Sequence, residues 1–90
     1  MNCYKIASVE AYKEYKIKFS ISGDFHIRFC ITAPESGDHL EFLTKNIYGS
    51  TGTYQYVLKT TKTGDLCLCR SVDRTNEWTA LSDIVVEVLE

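Results

Sequence analysis

Ninety residues make one domain, with no room for a catalytic domain beside a binding one. Six Tyr, four Phe and one Trp against a single Pro describe a chain that folds around a modest core rather than a disordered one. The formal net charge of −2 supplies no global pull towards nucleic acid or an anionic membrane.

The opening residues, Met1-Asn2-Cys3-Tyr4-Lys5-Ile6-Ala7, have no continuous apolar stretch of the kind an export signal needs. No run approaches the ~20 apolar residues that span a bilayer. The expectation is a chain made and folded in a cytoplasm, without a signal peptide. Cys3 to Val9 reads as a first strand, with Tyr4, Ile6 and Ser8 on one face. Glu10 to Glu14 is a polar connection too short for a stable helix.

Tyr15, Ile17, Phe19 and Ile21 then alternate with Lys16, Lys18, Ser20 and Ser22. After Gly23-Asp24, Phe25, Ile27, Phe29 and Ile31 alternate with His26, Arg28, Cys30 and Thr32. Two period-two runs around a short turn predict a hairpin. A loop of Ser22-Gly23-Asp24 sets Ile21 opposite Phe25, Phe19 opposite Ile27 and Ile17 opposite Phe29. A one-residue slip would exchange the faces.

Pro34 to Asp38 predicts a turn, because Pro fixes φ and Gly accepts a positive one. His39 to Lys45 is expected to return as a strand with Leu40 and Phe42 inward, Leu43 marking a bulge or an edge. Asn46 to Gly52 reads as a loop that holds Tyr48. Thr53 to Thr61, a turn at Lys62-Thr63-Gly64-Asp65, and Leu66 to Val72 form a second expected hairpin. Ser71 to Thr79 is polar and carries Trp78. The final segment, Ala80 to Glu90, alternates Ile84, Val86 and Val88 with Asp83, Val85 and Glu87. Its β-branched residues favour a strand on which the fold closes. Seven or eight strands without a helix predict an all-β antiparallel sandwich.

Cys3, Cys30, Cys67 and Cys69 fall inside these strands, so the expectation is four buried, reduced thiols and no metal. Cys67-Leu68-Cys69 lacks the spacing of about two to four residues found in zinc knuckles. A Cys67–Cys69 bridge would strain one pleat, and pairing of Cys3 with Cys30 stays open.

His26 and His39 have no nucleophile motif around them, and no glycine-rich phosphate loop is present, so no enzyme and no cofactor are expected. Two surface groups stand out instead. Lys16, Lys18, His26 and Arg28 would form a basic strip on the outer face of the first hairpin, suited to an acidic partner. Like charges facing each other across strands disfavour the pair, so a partner would relieve Lys18 and Arg28. Trp78, Tyr48, Tyr54 and Tyr56 could stack on sugar rings, although core packing is the commoner fate of such residues.

Gly52-Thr53-Tyr54-Gln55-Tyr56, Thr60-Thr61-Lys62-Thr63-Gly64-Asp65-Leu66 with Leu68, and the closing Leu81-Ser82-Asp83-Ile84-Val85-Val86-Glu87 carry a resemblance. With Tyr15-Lys16-Ile17-Lys18-Phe19-Ser20-Ile21-Ser22-Gly23, the chain from Tyr15 onward resembles carbohydrate-binding-module-like (galactose-binding-like) jelly rolls. Domains of that kind occur in glycan-binding modules and in bacteriophage virion proteins. The resemblance implies a compact jelly roll and a non-enzymatic role. With the missing export signal, it points to a virion accessory component, a capsid decoration or head-fibre protein. Its expected partner is a capsid or other virion protein in multiple copies, and its expected place is the virion. A stand-alone carbohydrate-binding module with a glycan ligand is the alternative. A small inhibitor of a host defence protein is the third reading.

Overall fold

A computed structural model describes residues 2–70 and 80–89. Residues 71–79, with Trp78 and the expected polar loop, lie outside the described residues. The strands are β1 (Asn2–Val9), β2 (Glu14–Ser22), β3 (Phe25–Thr32), β4 (His39–Phe42), β5 (Ile47–Gly49), β6 (Gly52–Lys59), β7 (Gly64–Arg70) and β8 (Ala80–Leu89). All strand pairs are antiparallel. The large sheet runs β1-β7-β3-β4, with β5 also paired to β3, and the small sheet runs β6-β2-β8. The two sheets pack face to face, sandwich-like, around one core.

That core is the set of inward positions that the alternation of β2 and β3 predicts. Ile17, Phe19 and Ile21 of the small sheet meet Phe25, Ile27, Phe29 and Ile31 of the large one, and all are buried. Leu66 and Leu68 of β7 complete it, with Val9 and Tyr15 at one end. The Phe19 and Phe29 rings meet edge-on at 6.0 Å across the sheets. Tyr54 and Tyr56 of β6 stack against Phe19 at 5.8 and 6.1 Å.

The two expected hairpins are not hairpins. β2 pairs with β6 and β8, whereas β3 pairs with β7, β4 and β5. The Gly23-Asp24 connection therefore carries the chain from one sheet to the other, with Gly23 at a φ of 97°. β6 and β7 likewise lie in different sheets. The inward faces survive this change because an arch between two sheets brings the same alternate residues to the core as a hairpin would have placed on one face. β3 and β4 do pair as a hairpin about the turn expected at Pro34–Asp38, closed by Gly37 N–H donating to the Ala33 carbonyl at 2.8 Å.

Other expectations are corrected in detail. Ile47–Gly49, read as loop, is a strand on β3. A register shift between Lys5 and Ala7 breaks the expected alternation of β1, so Val9 rather than Ser8 enters the core. β8 is an edge strand, not the element on which the core closes. Ile84 and Val88 are 38% and 45% exposed, while Val86 packs partly on the core. A bulge opposite Phe19, with Asp83 at a φ of 54°, interrupts the period-two pattern of β8.

One close approach constrains the large sheet. A Cβ at Gly64 would stand 2.5 Å from the Thr32 carbonyl oxygen and 2.9 Å from the Ile31 methyl. Gly64→Ala should therefore cost about 1–3 kcal/mol, as an overpacked site where backbone has to yield. Phe29→Ala should cost about 3–5 kcal/mol, and Val88→Ala less than about 1.5 kcal/mol, in urea unfolding. Equal losses for the two would contradict the assignment of core and edge.

Candidate functional site

The outward positions of β3 and β7 point away from the core, and the register lines them up in rows across the large sheet. Lys5, Cys67, Cys30 and Phe42 are successive partners across β1, β7, β3 and β4. Cys3, Cys69 and Arg28 form the next row, and His26 with Tyr48 the one after. This face thus gathers all four cysteines beside a group of aromatic and cationic side chains.

The aromatic part is open to solvent, with Arg28 and His26 half-buried beside it. Phe42 and Tyr48 are 52% and 60% exposed, and Leu40 is 41% exposed. The expectation that Leu40 and Phe42 face inward is corrected. Phe42 pairs with Cys30, an outward position, and Leu43 packs on the core instead. The Arg28 guanidinium lies 4.9 Å from the centre of the Phe42 ring. His26 stacks on Tyr48 at 4.3 Å, and His39 stacks on Phe42 at 5.2 Å. Arg28 Nε is buried without a hydrogen-bond acceptor among the described residues.

The basic strip expected from the sequence does not exist as one surface. Lys16 and Lys18 face outward from the small sheet, and His26 and Arg28 face outward from the large sheet, on the opposite side of the molecule. The reason is the arch between β2 and β3, which turns their polar faces apart. Lys16 also meets Glu87 across the strands at 3.7 Å. The expected aromatic platform is divided in the same way. Tyr54 and Tyr56 alternate into the core side of β6, Tyr54 donating its hydroxyl to the Ser50 carbonyl at 2.6 Å. Tyr48 alone of the three is on an outer face, and Trp78 lies outside the described residues. Sequence reasoning missed Phe42 as a surface group, although its place beside the Leu43 irregularity was the available signal, whereas His39 is solvent-exposed as its position beside a turn led one to expect.

The cysteines depart from four free thiols. Cys3 and Cys69 form a disulfide, their Cα atoms 3.9 Å apart as direct partners between β1 and β7. Cys30 and Cys67 are free and buried. Cys30 Sγ is 3.1 Å from Cys69 Sγ. Since Cys69 carries no proton, the Cys30 thiol is the donor. Burial, with the neighbouring Cys67, pushes the Cys30 thiol up to about 11 while Arg28 pulls it down. Cys67 Sγ stands 3.4 Å from the Thr32 hydroxyl. The pairing of Cys3 with Cys69 could not be read from the sequence, because nothing local shows that the first strand lies beside the seventh.

At the edge between the sheets, Val9, Tyr15, Val86 and Val88 line a cleft of about 570 Å³, with Glu10 and Lys13 at its rim. No helix among the described residues is long and apolar enough to cross a membrane. Compared with protein-family models, curated proteins and solved structures, the chain matches none of them.

Thiol counting on the unreduced, denatured chain should find two thiols, and four after reduction. Four without reduction would contradict the Cys3–Cys69 bond. That bond closes a separation of 66 residues, so breaking it should lower stability by up to about 4 kcal/mol through the entropy of the unfolded chain. In the native protein, Cys30 should alkylate at least about 100-fold more slowly at pH 8 than an ordinary thiol, since the thiolate is the reactive form. Its rate should go on climbing towards pH 11, where its thiolate forms. A plateau near pH 9 would show that the site does not suppress the thiolate.

Proposed function

We propose that the chain is a non-enzymatic binding domain, an accessory component of a bacteriophage virion of the capsid-decoration or head-fibre kind. Its docking surface is the outer face of the large sheet. The observation that carries this reading is the exposure of Phe42, Tyr48 and Leu40 around Arg28 and His26. Aromatic residues and Arg are the types that supply most of the energy at interface centres. An Arg whose Nε finds no acceptor among the described residues favours a partner that presents carboxylates beside apolar surface.

The particle itself is inferred from the resemblance of the segments from Tyr15 onward to glycan-module-like jelly rolls of virion proteins. The sandwich-like architecture is read as a jelly roll on the same basis. Among the described strands, five of the seven connections pass between the sheets, the kind of crossing that such a roll requires.

Arg28→Ala and Tyr48→Ala should each leave the far-ultraviolet spectrum of the isolated domain unchanged and lower its occupancy on the parent particle. Loss of an interface anchor of this type costs about 2 kcal/mol or more, or at least about 30-fold in affinity. Raised salt should weaken docking of the wild type more than that of Arg28→Ala. Purified particles that lack the protein would refute the virion assignment. Micromolar binding of a defined oligosaccharide, abolished by Tyr48→Ala, would replace it with a glycan-binding module.

A further inference from the structure

We propose that reduction of the Cys3–Cys69 disulfide creates a three-thiolate site, built from Cys3, Cys30 and Cys69, for a thiophilic divalent cation of the zinc class. The three sulfurs already lie within 4.8 Å of one another. Two thiolates on a tetrahedral zinc, each bonded at about 2.3 Å, stand about 3.8 Å apart. Opening the disulfide and closing the remaining gaps therefore needs side-chain rotation and no change of strand register.

The register is what brings these residues together. β7 lies between β1 and β3, so Cys69 has Cys3 on one side and Arg28 on the other, with Cys30 one row along. Ligands on paired strands are held by the backbone hydrogen bonds of the sheet, which preorganises a site better than a loop does. The spacing of Cys67 and Cys69 gave no zinc knuckle, and the site does not use one. It takes one cysteine from each of three strands.

The chemistry selects the ion. Three sulfur ligands favour zinc, cadmium or cobalt over calcium or magnesium, which take oxygen. Three thiolates and a divalent cation sum to a charge of −1, and the Arg28 guanidinium on the same face offsets it. Cys67 stays outside the site, its sulfur engaged with Thr32.

The steps balance with a dithiol as reductant. It supplies two electrons and two protons to the Cys3–Cys69 bond, giving two thiols, and itself closes to a disulfide. The cation then displaces one proton from each of the three thiols.

The test is a titration of the full chain, reduced by a phosphine in the absence of air, with cobalt(II) alone. One equivalent should produce thiolate-to-cobalt charge-transfer absorption, which zinc then removes, and should raise the melting temperature of the reduced protein. Cys30→Ser should weaken cobalt binding at least about tenfold, while Cys67→Ser should bind as the wild type does. Absence of the charge-transfer band at one equivalent would overturn the proposal. Equal weakening by Cys30→Ser and Cys67→Ser would also overturn it, because that is how an unfolded chain of four thiols behaves.

Discussion

The edge-on contact between Phe19 and Phe29 joins the two sheets, and the rest of the structure depends on it. Each ring sits at the middle of an interior strand of its sheet, fully buried, with Ile17 and Ile27 beside it. Edge-to-face rings contribute about 0.5–1.5 kcal/mol beyond their buried area. The larger effect is geometric. Once these inward positions are fixed, the period of two sends Lys16 and Lys18 out of one side of the molecule and His26, Arg28 and Cys30 out of the other.

β7 shows what that constraint does to the far side of the large sheet. Leu66 and Leu68 fill the core, while Cys67 and Cys69 on the opposite face are also buried. A strand buried on both faces carries small apolar side chains where a half-exposed one would carry charges. Cysteine suits that role, and the neighbouring strands add Cys3 and Cys30 at matching positions. The cationic and aromatic groups begin where this sulfur cluster ends, at Arg28 and Phe42. The proposed docking surface and the proposed metal site are thus two ends of one sheet face, joined through Arg28.

Which residues face the core was legible in the sequence to a large extent. The alternation of Tyr15–Ile21 and Phe25–Ile31 identified seven buried side chains of those two strands besides Tyr15, from Ile17 to Ile31. Which strands pair was not legible. A short Gly-containing turn fits a hairpin within one sheet and an arch between two, and period two is the same in both. From that one ambiguity followed the misplaced basic strip and the misplaced aromatic platform, while the disulfide was missed because nothing local sets β1 beside β7. β8 misled for a different reason. Its β-branched residues gave the strand correctly, but composition does not distinguish an edge from a centre, and the bulge at Asp83 is invisible without its partner Phe19.

Backbone nuclear Overhauser effects on the oxidised chain test the central claim, that β2 and β3 belong to different sheets. Antiparallel partners bring main-chain protons within reach of one another across a strand pair. The account predicts cross-strand contacts of Arg28 with Cys69 and of Lys18 with Gln55 and Val85. Main-chain contacts of Phe19 with Ile27 and of Ile17 with Phe29 would instead establish a β2–β3 hairpin, and would contradict the two-sheet arrangement together with both sites built on it.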